Sequence, residues 1–269
     1  MEIRSILVNV GLGSQNAINY AARLAEAYGA EIIGLAAAQP NLAFAGVDGA
    51  QVAIDYYAAA SKAIEENLAR AEEEFRAAVP ASVATKWRSY VADTTTMLID
   101  QARRSDIVVA SAGEVVEPAQ VLDIGHIILA CGRPVIMVGD NPRTFGLERV
   151  AIAWKDTREA RRAVSDALPL LKRAKVIKAV TRSEGDIGAE TGSLNDLVDW
   201  LRRHGVEAQS QVVGHEIGLL DGLGLHSSSE APDLVVAGGY GHSRFREWLL
   251  GGATSDLLSD TTINCLLSN

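Results

Sequence analysis

Cysteine is scarce in this sequence: only Cys131 and Cys265 occur among 269 residues. Two cysteines cannot supply the network of disulfides that holds small secreted domains together. Each lies beside an apolar run, where a buried, reduced thiol is the ordinary expectation. We therefore predict two structural thiols and no cysteine nucleophile.

Long apolar runs are lacking as well. No segment approaches the roughly 18–20 consecutive apolar residues that a membrane-spanning helix needs. The opening residues MEIRSILVNV lead into a strand pattern, which differs from the charged, apolar and small-residue regions of a signal peptide. We expect a soluble, cytoplasmic protein without a membrane partner.

Basic side chains are in deficit. Lys and Arg number 25 against 34 Asp and Glu, which gives a formal net charge of −9. This overall field would repel a polyanion, so we expect no nucleic acid partner. With 48% hydrophobic residues, the chain can bury a sizeable core.

The sequence does contain a regular alternation of short apolar runs and helix-period stretches. Short apolar runs are typical of strands in a parallel sheet whose two faces are covered by helices. Predicted strands lie at 5–10, 31–37, 86–92, 106–111 and 134–138, and predicted helices at 15–28, 51–79, 95–104 and 119–130. This alternation predicts an α/β fold.

The pattern restarts after residues 139–143, a Gly-, Asn- and Pro-containing stretch that cannot continue a regular element. DIVVASAGE at 106–114 then matches DLVVAGGYG at 233–241, at an offset of 127 residues. Such self-similarity indicates a duplicated unit. We predict two tandem, doubly wound parallel-sheet units of Rossmann-like type, at 1–143 and 144–269.

The two predicted units differ most in their middle. The helix at 51–79 has a long apolar face formed by Tyr57, Ile64, Leu68, Ala71 and Phe75. Its counterpart is predicted as a shorter helix at 193–204. Before it, Asp156 and Thr157 predict the N-cap of a helix whose apolar face is Ala160, Val164, Ala167, Leu168 and Leu171.

A glycine-rich segment follows the repeated strand. Gly238, Gly241 and Gly251 come after the apolar run LVVA, and a predicted helix starts at Ala253. In open α/β sheets ligands bind at such strand-to-helix turns, where free N–H groups and the helix dipole favour a phosphate. Glycine lets the amides approach the ligand because no Cβ intervenes. A tight turn with two solvated arginines is the alternative interpretation.

The spacing of these glycines is G-x2-G-x9-G. With the preceding strand and the duplicated unit, it resembles the tandem universal stress proteins (UspA-like) over essentially the whole chain. The resemblance implies a UspA-type sheet in each unit and a stress-response or regulatory role. It also implies an ATP site, with the base near the end of the first strand and the phosphates on the glycine loop. AMP and ADP are alternative ligands.

Carried over onto this sequence, the resemblance predicts one nucleotide site, in the second unit. Ala153 and Trp154 end its first strand. Gly252 stands where the family usually has Ser or Thr, while Ala253 and Thr254 would donate from the helix start. The predicted binding residues are Ala153, Trp154, Ala237, Gly238, Gly241, His242, Gly251, Gly252, Ala253 and Thr254.

Two departures from the family pattern bear on this site. The family's ATP binders usually carry Asp at the end of the first strand, where this chain has Lys155 followed by Asp156. In the first unit, Ser111 and Glu114 align with the first two loop glycines. A carboxylate there would repel a phosphate. We therefore expect the first unit to be a degenerate, structural copy.

Other chemistry has little support in the sequence. The histidines and cysteines share no metal-ligand spacing, so we predict no metal site. We identify no catalytic residue. Without a general base or a magnesium ligand set beyond a remote Asp256, any ATP hydrolysis is expected to be slow.

A second hypothesis keeps the fold without the nucleotide. In the family the last strands pair between units, and here these are 134–138 and 264–268. The resemblance therefore implies an internal pseudo-dimer, which could extend to a homodimer. The protein would then act through dimerisation or protein–protein contacts. A third hypothesis is an enzyme acting on an adenylated or other small substrate.

Overall fold

Ten strands and seven α-helices make up the described part of the chain. The structure is a computed structural model that describes residues 2–11, 14–40, 50–111, 122–139, 146–183, 185–214, 216–225, 231–239 and 262–269, with the side chains of the second helix from residue 57 onward.

The strands and helices alternate along the chain. The strands are β1 (Ser5–Asn9), β2 (Glu31–Ala38), β3 (Thr85–Val91), β4 (Ile107–Ser111), β5 (Val135–Val138), β6 (Arg149–Ala153), β7 (Val176–Arg182), β8 (Gln209–Val213), β9 (Leu234–Gly238) and β10 (Cys265–Ser268). The helices are α1 (Gln15–Tyr28), α2 (Ala50–Ala78), α3 (Thr94–Gln101), α4 (Ile124–Ala130), α5 (Arg158–Leu171), α6 (Ile187–Arg203) and α7 (Leu219–Gly222). A 3-10 turn, Ala102–Arg104, extends α3.

All ten strands form one sheet, in the order β3-β2-β1-β4-β5-β10-β9-β6-β7-β8. Within each half, neighbouring strands are parallel and follow the same order: third, second, first, fourth, fifth. At the centre β5 and β10 run antiparallel, with Ile136 opposite Leu266. The expected pairing of the last strands is therefore confirmed, and it occurs within the chain.

Helices cover both faces of the sheet, as a doubly wound fold requires. Successive residues of a strand point to opposite faces. Accordingly, Ile6 and Val8 of β1 belong to one buried cluster and Leu7 to another. Helices α1, α2, α5 and α6 contribute to the first cluster, and α3, α4 and α7 contribute to the second. The predicted α/β architecture is confirmed.

Helix α5 starts where its local sequence predicts. The hydroxyl of Thr157 accepts the N–H of Ala160 at 3.2 Å, which satisfies one of the N–H groups that a helix start leaves without a partner. Ala160, Val164, Ala167 and Leu171 are buried on the predicted face, and Leu168 packs partly against the same core.

Helix α6 begins at Ile187, six residues before the predicted start at 193. The prediction was wrong because the two glycines at 188 and 192 weaken the helical signal. The start is instead set by Asp186, whose carboxylate accepts the N–H of Ala189 at 3.0 Å.

The predicted apolar face of α2 is also too long. Leu68 and Phe75 are buried, but Tyr57 is 46% exposed. A helix of 29 residues spans about 44 Å at 1.5 Å per residue. The longest strand beneath it, β2 with eight residues, spans only about 26 Å. The sheet therefore cannot cover both ends of the helix.

Two aspartates occupy equivalent places in the two halves. Asp106, just before β4, accepts the N–H groups of residues 4 and 5 at 2.9 and 3.0 Å. Asp233, just before β9, accepts the N–H groups of residues 148 and 149 at 2.7 and 2.9 Å. Each carboxylate thus joins the start of the fourth strand of its half to the start of the first.

Side chains also connect the halves away from the central strands. The Tyr28 hydroxyl at the end of α1 donates to the carbonyl of Pro169 in α5 at 2.9 Å. The Arg173 guanidinium lies 5.0 Å from the centre of the Tyr28 ring. Burial raises the pKa of Tyr28 to about 12, so the hydroxyl keeps its proton and remains a donor at neutral pH.

Both cysteines are buried and form no disulfide, as predicted. Among the helices of the described residues, none combines the length and the apolar character that crossing a membrane would require.

Candidate functional site

The first strand of the second half lies beside the strand that leads into the glycine segment. Ala153 of β6 is the register partner of Ala237 of β9. Trp154 and Gly238 are the residues that follow Ala153 and Ala237 in the sequence. The structure therefore brings these four predicted residues together. Because β6 and β9 are parallel, their carboxyl ends meet at the same edge of the sheet, where open α/β sheets bind ligands.

Six predicted binding residues lie outside the described residues, and their role in holding phosphate stays a prediction. They are Gly241, His242, Gly251, Gly252, Ala253 and Thr254.

Gly238 has a packing reason to be glycine. A Cβ at this position would lie 2.5 Å from the backbone nitrogen of Ala160 and 2.8 Å from the carbonyl carbon of Glu159. Both atoms belong to the first turn of α5, so no side-chain rotation could relieve the overlap. Gly238 therefore lets α5 approach β9, whether or not a ligand is present.

A buried carboxylate lies at the same helix start. Glu159 is 6% exposed, and the Arg158 Nε is 3.1 Å from its Oε1. Burial alone would raise its pKa. The N–H of Glu159, the hydroxyl of Thr157 and the Arg158 charge outweigh that effect and lower the pKa. The start of α5 thus already holds a negative charge, which the helix dipole favours.

Trp154 is fixed in the core. Its backbone N–H donates to the carbonyl of Val180 at 2.8 Å, and its Nε1 donates to the Ser193 hydroxyl on α6 at 2.9 Å. The residue is only 7% exposed. Little of the ring is left open for stacking against a base.

The residues that follow Trp154 are exposed. Lys155 occupies the position at which the family's ATP binders usually have Asp. Asp156, the next carboxylate along the chain, has its Oδ1 2.6 Å from an Arg161 nitrogen. The Asp156 charge is therefore compensated from α5.

A cleft of about 330 Å³ opens at the carboxyl ends of β6 and β7. Besides Ala153 and Trp154, its lining includes Thr181 and Arg182 at the end of β7, which the sequence reasoning missed. The signal that could have found them is the strand order, because the second strand of a unit ends beside the first. Its charged lining residues are Lys155 and Arg182, which are positive, and Asp156 and Glu190, which are negative.

The first half arranges the corresponding edge differently. The N–H of Gly11 donates to the Ser14 hydroxyl at 2.9 Å, so the turn after β1 is closed by its own side chain. Helix α4 begins at Ile124, later than the predicted 119, and the Asp123 carboxylate accepts the N–H of His126 at 2.9 Å. Glu114 lies outside the described residues.

Comparison with known proteins was made at the levels of sequence and structure. No protein-family model and no curated protein sequence matches the chain. In structure, the chain matches a universal stress protein from Archaeoglobus fulgidus DSM 4304 with a TM-score of 0.69 and 15% identity, over 100% of this chain and 97% of that chain. The chain has the universal stress protein fold.

A second crystal structure matches at nearly the same coverage. It is a functionally unknown protein from Pseudomonas aeruginosa PAO1, with a TM-score of 0.57 and 14% identity, over 99% of this chain and 92% of that chain. The structural matches establish the universal stress protein fold. Because the sequence identities are this low, the ligand has to be argued from this chain's own residues.

Proposed function

We propose that the chain is a tandem universal stress protein that binds ATP or a related nucleotide in its second unit and acts as a stress-response or regulatory module. The units would be residues 1–143 and 144–269. The observation that carries the proposal is the register of Ala153 with Ala237. It puts the first-strand end and the entrance to the G-x2-G-x9-G segment side by side at the ligand-binding edge of the sheet.

The electrostatics of this edge support an anionic ligand. The cleft at the strand ends is lined by two cations, Lys155 and Arg182, and by two carboxylates, Glu190 and Asp156, of which Asp156 is paired with Arg161. The following segment adds Arg244 and Arg246 between its glycines, in a chain of net charge −9. The two arginines of the glycine segment favour a phosphate-bearing ligand there. AMP and ADP share the phosphate chemistry and are alternatives to ATP.

The first unit would serve as a structural partner. Its strand-end turn uses its own N–H in the bond from Gly11 to Ser14. The start of α4 is occupied by the Asp123 carboxylate. Both features leave fewer donors for a phosphate than the second unit's glycine segment would offer. The buried free thiols support a reducing compartment such as the cytoplasm.

Isothermal titration calorimetry with ATP tests the proposal. The wild-type protein should bind, and Gly241→Asp should lose binding because a carboxylate would face the phosphates. The matched control is Gly11→Asp, which adds the same charge at a first-unit glycine with nothing within 4 Å of the new Cβ. It should bind as the wild type does. No heat of binding to the wild type at millimolar ATP would overturn the proposal.

A second candidate function is a contact module that binds no nucleotide. Lys155 favours it, since a cation stands where the family's ATP binders usually have a carboxylate. Because β5 and β10 already pair inside the chain, a homodimer would need another surface. Light scattering of freshly purified protein separates the two functions. A stable dimer that neither carries nor binds nucleotide supports the contact module, and a monomer that binds ATP contradicts it.

A further inference from the structure

A larger cleft lies between α5 and α6, on the face of the sheet away from α7. Its volume is about 650 Å³, within the roughly 300–1,000 Å³ typical of sites for small molecules. Every residue that lines it belongs to the described part of the chain. It shares Trp154, Asp156 and Ser193 with the strand-end cleft, and its other lining residues lie on α5 and α6.

The walls of this interhelical cleft are apolar and aromatic. Val164 of α5 and Leu197 of α6 are buried and form part of its lining. Trp154 contributes an indole whose Nε1 is held by Ser193 at 2.9 Å. Trp200, half-buried on α6, packs on His204 with 4.2 Å between the ring centres. Trp200 therefore offers apolar area and an electron-rich ring face, and Trp154 adds a small apolar part of the wall.

One face of α6 supplies most of the polar lining. Ser193, Asp196 and Trp200 follow one another at helical spacing, so they project to the same side. Asp196 makes no hydrogen bond or ion pair with the residues that the structure describes. On the opposite wall, the Asp156 carboxylate is neutralised by Arg161 at 2.6 Å. The cleft therefore has one uncompensated negative charge, next to an indole.

A carboxylate beside indole rings matches one ligand chemistry. A cationic nitrogen is attracted both by the carboxylate and by the face of a tryptophan ring, whereas a phosphate or carboxylate ligand would be repelled. The apolar walls would take the carbon skeleton that carries the nitrogen. The first half lacks this arrangement, because the residue in the place of Trp154 is Val10: each donates its backbone N–H to the second strand, at 2.7 Å for Val10 and 2.8 Å for Trp154.

We propose that the α5–α6 cleft binds a small organic cation, an ammonium group on an apolar or aromatic skeleton, held by Asp196 and the indole of Trp200, with the buried Trp154 as part of the apolar wall. Binding of this cation requires no nucleotide, although the cleft shares Trp154 with the proposed nucleotide site. The second unit would then bind a cation in this cleft, in addition to the anionic phosphates expected at the glycine segment.

The test compares 2-phenylethylamine, which is cationic at neutral pH, with 2-phenylethanol, its neutral analogue. Binding is followed by NMR of the indole N–H signals of 15N-labelled protein. The amine should shift the signals of Trp154 and Trp200 and leave Trp87, in the first half, unchanged. The alcohol should bind at least about tenfold more weakly, since it loses the carboxylate and cation–π attraction.

Two variants of α6 test whether Asp196 supplies the negative charge that binds the amine. Asp196→Asn should weaken binding of the amine about tenfold. Asp199→Asn is the matched control on the same helix, because Asp199 pairs with Arg202 at the surface and does not line the cleft. It should bind as the wild type does. Equal affinity for amine and alcohol, no shift at Trp200 at several millimolar amine, or an unchanged affinity in Asp196→Asn would overturn the proposal.

Discussion

The two halves of the sheet share their backbone and differ in what ends their strands. After β1 the chain continues with Val10, and after β6 with Trp154, yet both residues make the same backbone bond to the second strand. The last residue of β4 is Ser111, and the last residue of β9 is Gly238. The repeated hydrogen bonds preserve the fold, while the residues at the strand ends differ between the halves.

The largest expected effect comes from exchanging the residues that end the fourth strands. Gly238→Ser should lower the free energy of unfolding by about 3 kcal/mol, because its Cβ would overlap the backbone of α5. The reciprocal Ser111→Gly should cost only about 1 kcal/mol, the backbone entropy of a strand glycine. Urea unfolding followed by circular dichroism measures both. Equal costs would show that the two strand ends are packed alike.

The next effect concerns the ends of the first strands. Trp154→Val puts the first-half residue into the second half, and it should cost about 2–4 kcal/mol because it leaves a cavity. It also removes the bond from Nε1 to Ser193. The same urea experiment checks it, with Trp200→Leu as the control for loss of a half-buried indole. If Trp154→Val were as stable as wild type, the ring would not be part of the core.

Removing the carboxylate of Asp106 and removing that of Asp233 should cost different amounts of stability. Asp233→Ala leaves the partly buried N–H groups of residues 148 and 149 without an acceptor, at about 1 kcal/mol for each group. Asp106 is less buried, and its partners include the exposed Arg4. Water can replace the lost carboxylate there, so Asp106→Ala should cost less than Asp233→Ala. Differential scanning calorimetry of the two variants ranks them. A larger loss for Asp106→Ala would contradict the difference in burial.

The smallest effect is the pH dependence that Glu159 contributes to the stability of the second half. The pKa of Glu159 is lowered in the folded state. Its contribution is complete above the ordinary glutamate pKa of about 4.3 and is lost as pH falls through the lower folded pKa. Glu159→Gln should therefore flatten the acid limb of the stability curve below about pH 4.3. Asn16→Gln, at the equivalent position of α1, is the control and should leave the limb unchanged.

Much of the fold could be predicted from the sequence. Parallel strands buried on both faces read as apolar runs, so the strands of the first half were predicted to within a residue or two. Helix α6 was missed at its start because Asp186 caps it ahead of two glycines. The exposure of Tyr57 depends on how far the sheet extends beneath α2, and no local pattern carries that information.

The candidate site was predicted less completely. Ala153, Trp154, Ala237 and Gly238 were predicted to meet, and they do. Thr181 and Arg182 were missed, because β7 lies next to β6 only through a crossover. Gly238 was predicted as part of a phosphate cradle, and the structure adds a packing role against α5 that a glycine pattern cannot reveal. The remaining glycine-segment residues stay a prediction.

The sequence by itself determined what can be read locally: the alternation of strands and helices, the repeat at an offset of 127 residues, the N-cap at Thr157 and the acidic balance. The tertiary structure alone decided which strand ends meet, how closely α5 approaches Gly238, and that Trp154, Asp196 and Trp200 border one cleft. Local patterns follow from the geometry of a few consecutive residues. Clefts and close approaches depend on crossovers and packing, which bring together residues far apart in the chain.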